Sequence, residues 1–126
     1  MKRVQFTLEF LFKASPNILY KFLSTTSCLV RWFCDKVDIQ GDAYTFTWGE
    51  TQEVAYLIDD FEEELLRFRW EDAPSPVEFL EYKISESPIT GETILHITDF
   101  CDEGEVNEMR QIWTNQMKDL QKETGG

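Results

Sequence analysis

The sequence predicts an α+β domain in which a curved antiparallel sheet of about seven strands wraps around a long C-terminal helix, with two short helices after the first strand. Three observations predict it. Segments of two-residue apolar period follow one another in hairpin order from Tyr44 to Ile97, and two short helical segments interrupt the strands only after the first of them. The chain then closes on an amphipathic helix from about Glu105 to Glu123, on which Trp113, Met117 and Leu120 repeat the stripe a sheet would grip. Only one face of each strand is apolar, so folding the sheet around the helix is the economical way to bury them all.

From Val4 to Phe12, apolar residues alternate with Gln5, Thr7 and Glu9, which is the period of a half-buried strand. Ser15-Pro16 opens a helix: Ser15 can cap free amides, Pro16 fits the first helical position, and Ile18, Leu19, Phe22 and Leu23 supply an apolar face. A second short helix is expected to carry Leu29, Val30, Trp32 and Phe33. Gly41-Asp42 marks a tight turn between strands at 37–40 and 44–48, the latter with Tyr44, Phe46 and Trp48 on one face. A strand with Val54, Tyr56 and Ile58 in phase follows, then the acidic turn at 62–64, then Leu66, Phe68 and Trp70 in phase. After the prolines at 74 and 76, Leu80, Tyr82 and Ile84 alternate with Glu81 and Lys83, and Leu95 and Ile97 mark the last strand. Asp102 and Glu105 have the spacing of a capping box for the closing helix, and Thr124 to Gly126 are expected to fray.

The 126 residues form one domain, 1–126, without linkers or repeats. With 24 acidic against 12 basic residues and a net charge of -12, the surface should repel nucleic acid and anionic membranes. No apolar run approaches the roughly 20 residues of a membrane span, and the N-terminal segment reads as a strand, not a signal peptide. Cys28, Cys34 and Cys101 lack the spacing of a zinc site and are odd in number, which fits free thiols in a reducing cytoplasm. No motif implies a cofactor, and glycine-rich phosphate cradles are absent.

Several short segments, taken in order, resemble the START-like domains of the SRPBCC (Bet v 1-like, helix-grip) superfamily, closest in character to small bacterial AHSA1-type members. Ser15-Pro16 through Leu23 is similar to the opening helix of that family, and Leu29-Val30-Arg31-Trp32-Phe33 to its Trp-containing second helix. Leu66 to Trp70 resembles the strand ending in Trp, Thr93 to Phe100 the penultimate strand, and Trp113, Met117 and Leu120 the closing helix. Where many AHSA1-type sequences have a His-Ser-Gly-Phe-like segment, Ile97-Thr98-Asp99-Phe100 stands here, with Ile97 in the His position. The resemblance implies a cavity between helix and sheet that takes a hydrophobic ligand in many members, but the fold licenses no particular reaction.

Candidate cavity residues follow from the inward phases: Phe46, Trp48, Tyr56, Phe68, Trp70, Tyr82 and Ile97 from the sheet, and Met109, Trp113 and Met117 from the helix. Core filling competes with ligand contact at each of them. The hydroxyls of Tyr56 and Tyr82 are the polar members of this set. On a helical wheel Arg110 lies about 60 degrees from Trp113, flanking the gripping face, where it could pair with a sheet-edge carboxylate or with an acidic ligand. Glu78 shares the phase of Leu80 and is expected at the cavity mouth, and His96, out of phase with Leu95 and Ile97, on the outer face. With no nucleophile and base in sight, non-catalytic binding of a small hydrophobic or amphipathic ligand leads. A protein-interaction module resembling the chaperone ATPase activators is the alternative, a polyketide cyclase or aromatase-like enzyme the third, and an exposed edge strand could pair with a second copy.

Overall fold

The computed structural model describes residues 2–125. The chain runs β1 (Arg3–Phe12), α1 (Pro16–Ser24), α2 (Thr26–Leu29), β2 (Lys36–Gln40), β3 (Ala43–Trp48), β4 (Thr51–Phe61), β5 (Leu65–Trp70), β6 (Leu80–Glu86), β7 (Thr93–Asp102), a single 3-10 turn (Glu103–Glu105) and α3 (Val106–Glu123). The strands form one seven-stranded sheet in the order β1-β7-β6-β5-β4-β3-β2, and every neighbouring pair is antiparallel. This is the curved α+β sheet gripping a C-terminal helix that the strand pattern predicts.

The expected caps are partly formed. Ser15 Oγ accepts the amide of Ile18, and Pro16 begins α1 without sacrificing a hydrogen bond. The second helix is shorter than its apolar pattern suggests, a single turn ending at Leu29, because Trp32 and Phe33 are drawn off into side-chain contacts. The Trp32 indole N–H donates to the Phe22 carbonyl at 2.8 Å, satisfying an acceptor in the last turn of α1, while Val30 is left exposed. The capping box at Asp102 and Glu105 does not form: neither side chain bonds an amide of the helix start. Asp102 instead accepts from Arg3 Nη1 at 3.2 Å, a charged donor that outcompetes a neutral amide. At the other end Thr124 closes α3, its hydroxyl donating to the Leu120 carbonyl at 2.9 Å, so it is tied down; Gly126 lies outside the described residues.

One strand has the opposite phase to that expected. On β4 it is Ala55, wholly buried, that faces inward, and Tyr56 and Ile58 that are exposed. The register decides this, since Ala55 sits opposite the inward Tyr44 on β3 and Trp70 on β5. Cross-strand partners share a face. The physical reason is volume: Phe46, Phe68 and Trp70 crowd that point of the interior, and only a methyl fits among them. A bulge between Leu57 and Asp59 then re-phases the end of the strand.

Candidate functional site

The space between α3 and the sheet is filled. Trp113, Met117 and Leu120 are buried against the inward residues of the strands, and the aromatic rings continue from one another in edge-on or tilted contact. Phe33 meets Phe46 at 5.0 Å between centroids, Tyr44 meets Phe68 at 5.0 Å, and Tyr82 meets Trp113 at 6.0 Å. Between Leu23, Ala55, Phe68 and Tyr82 a gap of about 10 Å³ remains. That is scarcely the room one water needs. Phe46, Phe68, Tyr82, Ile97, Trp113 and Met117 are therefore core residues.

Three other predicted positions lie away from any interior space. Tyr56, on the outer face, donates its hydroxyl to Glu71 Oε1 at 3.0 Å. Trp48 is half-buried, with its indole N–H on the Phe33 carbonyl. Arg110 neither enters a cavity nor pairs with a carboxylate; it is exposed, with its guanidinium carbon 5.8 Å from the Phe6 ring centroid. Its distance from the stripe leaves that long side chain at the edge of the grip beside the inward-facing ring of Phe6, where an aromatic ring and water hold the charge.

A shallow recess of about 240 Å³ lies beside Trp32, Trp48 and Asp119, and a more enclosed one lies at one end of the grip. There the start of β1, the ends of β5 and β7, the loop after β5 and the first turns of α3 enclose a recess of about 230 Å³. Its apolar wall is Trp70, Pro74, Phe79, Phe100 and Met109, so two of the predicted residues, Trp70 and Met109, belong to it. Its charged groups are Arg3, Glu53, Asp72, Glu78 and Asp99. Glu78 is buried, as its phase suggests, and chelates Arg3: Nη2 donates to Oε1 at 2.6 Å and Nε to Oε2 at 3.0 Å. Those bonds, with Asp102, hold the Arg3 guanidinium charged more firmly than usual.

Asp99 is the second buried carboxylate of the recess, 9% exposed against 6% for Glu78. The Trp113 indole N–H donates to its Oδ2 at 3.0 Å and the Phe100 amide to its Oδ1 at 2.8 Å. Burial pushes its carboxyl above the ordinary aspartate range, and the two donors oppose that shift only in part. Sequence reasoning passed over Asp99, although the signal was present: it continues the inward alternation of Leu95 and Ile97. Arg3 carries no comparable signal, because its partner Glu78 lies 75 residues away.

His96 is half-exposed on the outer face between Glu9 and Lys83. Burial pushes the Cys34 thiol up to about 11 and raises that of Cys101, so neither is an activated nucleophile. Among the described residues no three His, Cys, Asp or Glu side chains are grouped to hold a metal ion, and no helix is long and apolar enough to cross a membrane.

A family model for the START-like superfamily domain matches residues 1–126. The chain belongs to the START-like superfamily. Among solved structures it is similar to BfR322 from Bacteroides fragilis, with 34% identity over 100% of this chain and 94% of that one and a TM-score of 0.70. It shares the fold of the Aha1 dimer protein from Colwellia psychrerythraea, at 13% identity, 96% coverage of both chains and a TM-score of 0.81. MLL2253 from Mesorhizobium loti is alike in fold too, at 13% identity, 94% and 95% coverage and a TM-score of 0.77. No curated protein matches the chain in sequence. START-like membership thus accounts for the grip.

Proposed function

We propose that this START-like domain binds a small amphipathic ligand, without transforming it, in the recess at the open end of the grip. The ligand's apolar body rests on Trp70, Phe79, Phe100 and Met109, and its polar end points toward Asp99. The observation that carries this reading is the coincidence of space with a buried charge. The interior is packed to within about 10 Å³, while about 230 Å³ stays open where a carboxylate has been taken out of water. Burying an aspartate costs stability unless something repays it. At this volume, below the roughly 300 Å³ of drug-sized pockets, the ligand is compact.

Two-dimensional NMR of labelled protein with a panel of small amphipathic compounds tests the reading. Binders should shift the signals of residues 70–79, 99–100 and 109, and Met109→Trp, which fills the recess, should abolish those shifts while leaving the rest of the spectrum in place. Shifts centred on Met117 or Leu120, or binding that survives Met109→Trp, would place the ligand elsewhere and overturn it.

A further inference from the structure

We infer that the ligand of this recess is a small organic cation, a protonated or quaternary amine on a compact aromatic or alicyclic body. This deepens the reading above and rests on it. Four carboxylates, those of Glu53, Asp72, Glu78 and Asp99, line the recess against one guanidinium, that of Arg3. Three of the five N–H groups of Arg3 are taken by Glu78 and Asp102, and its charge is offset by those two carboxylates. An anionic headgroup would therefore meet a recess of net negative charge whose one guanidinium is already ion-paired.

Asp99 adds a second, independent observation. Both of its hydrogen bonds come from neutral N–H groups, and among the described residues no Lys, Arg or His lies within ion-pair distance of it. A carboxylate removed from water, held in place by neutral donors and offset only at a distance by the Arg3 guanidinium, is oriented but lacks a direct ion-pair partner. An ammonium group entering from the open side supplies one. The wall is suited to the same charge, because the faces of Trp70, Phe79 and Phe100 are electron-rich. Phe79 already carries one cation, the guanidinium carbon of Arg67 lying 4.0 Å from its ring centroid. A bare metal ion does not fit, since the carboxylates are too dispersed to ligate one.

The test compares three probes of one shape at neutral pH and low salt: phenethylammonium, 2-phenylethanol and 3-phenylpropanoate, titrated by NMR shifts of the recess residues. The cation should bind at least ten-fold more tightly than the alcohol, and the propanoate should not bind. Asp99→Asn should remove most of that ten-fold preference. The rim double variant Glu53→Gln/Asp72→Asn, at exposed positions, should reduce it several-fold and carries the test if Asp99→Asn does not fold. If the alcohol binds in the recess as tightly as the cation, the cation inference falls and the binding recess stands. If none of the three probes shifts the recess signals, the inference falls as well, and the recess itself is judged by the broader panel and Met109→Trp.

Discussion

The gripped middle of the domain and its open end are built from the same helix and the same strands, and they are opposites. In the middle, Trp113, Met117 and Leu120 meet aromatic strand residues with almost no space between them, and apolar packing decides everything. At the open end, one turn earlier on the helix, Met109 is only half-buried, and Arg3 and Asp99 of the strands and Glu78 of the loop before β6 stand beside the apolar side chains. The two regions are joined by a single hydrogen bond, from the Trp113 indole to Asp99. Stability is concentrated on one side of that bond, and on the other the fold tolerates charge and emptiness that stability alone would remove.

Removing the large side chain at the junction should have the greatest effect. Trp113→Ala should lose about 3–5 kcal/mol in urea unfolding, since it opens a cavity in a close-packed interior. Trp113→Phe keeps most of the volume and should cost about 1–3 kcal/mol, the penalty of leaving the buried Asp99 oxygen without its donor. If the two variants were equally destabilised, the hydrogen bond and not the packing would hold the middle together, and the contrast between the regions would collapse.

Asp99→Asn should act in the opposite sense. The folded carboxyl is held above its ordinary value, chiefly by burial, so the native state binds that proton more tightly than the unfolded chain does. Its contribution to stability is present below the unfolded value near about 3.9 and is lost as the pH rises through the raised folded value. Asn keeps only one of the two acceptors and so carries a pH-independent cost, but the variant should gain on the parent as the pH rises from below 4 to 7, because only the parent then bears a buried charge. Chemical denaturation across that pH range measures it; a stability difference between variant and parent that does not change from pH 4 to pH 7 would dissolve the argument that the open end sacrifices stability.

The sequence was readable where period and burial agree. β1, β5, β6 and α3 follow their apolar spacing almost residue for residue, because each has a single apolar face and a single surface to bury it on. The open end was harder to read. A carboxylate at an inward position looks like a break in the pattern until the structure shows that Trp113 reaches it. Arg3 and Glu78 are 75 residues apart, and nothing local couples them. The grip could be inferred from neighbours in sequence, whereas the recess depends on which strand ends the topology brings together.

β4 shows the limit most plainly and offers the gentlest test. Its larger apolar residues, Val54, Tyr56 and Ile58, have the period of a buried face, yet the wholly buried residue is Ala55, because the inward position lies under three aromatic rings already in place. Tyr56 is thus a surface phenol bonded to Glu71, whose carboxylate raises it, while Tyr82 is raised by burial. Tyr56→Phe should leave Tm and probe binding unchanged and should remove from the alkaline absorbance titration a tyrosine that ionises in the folded protein. Tyr82 should ionise only as the chain unfolds. A marked fall in Tm for Tyr56→Phe would return that side chain to the interior, and with it the reading of β4 that its apolar spacing alone suggests.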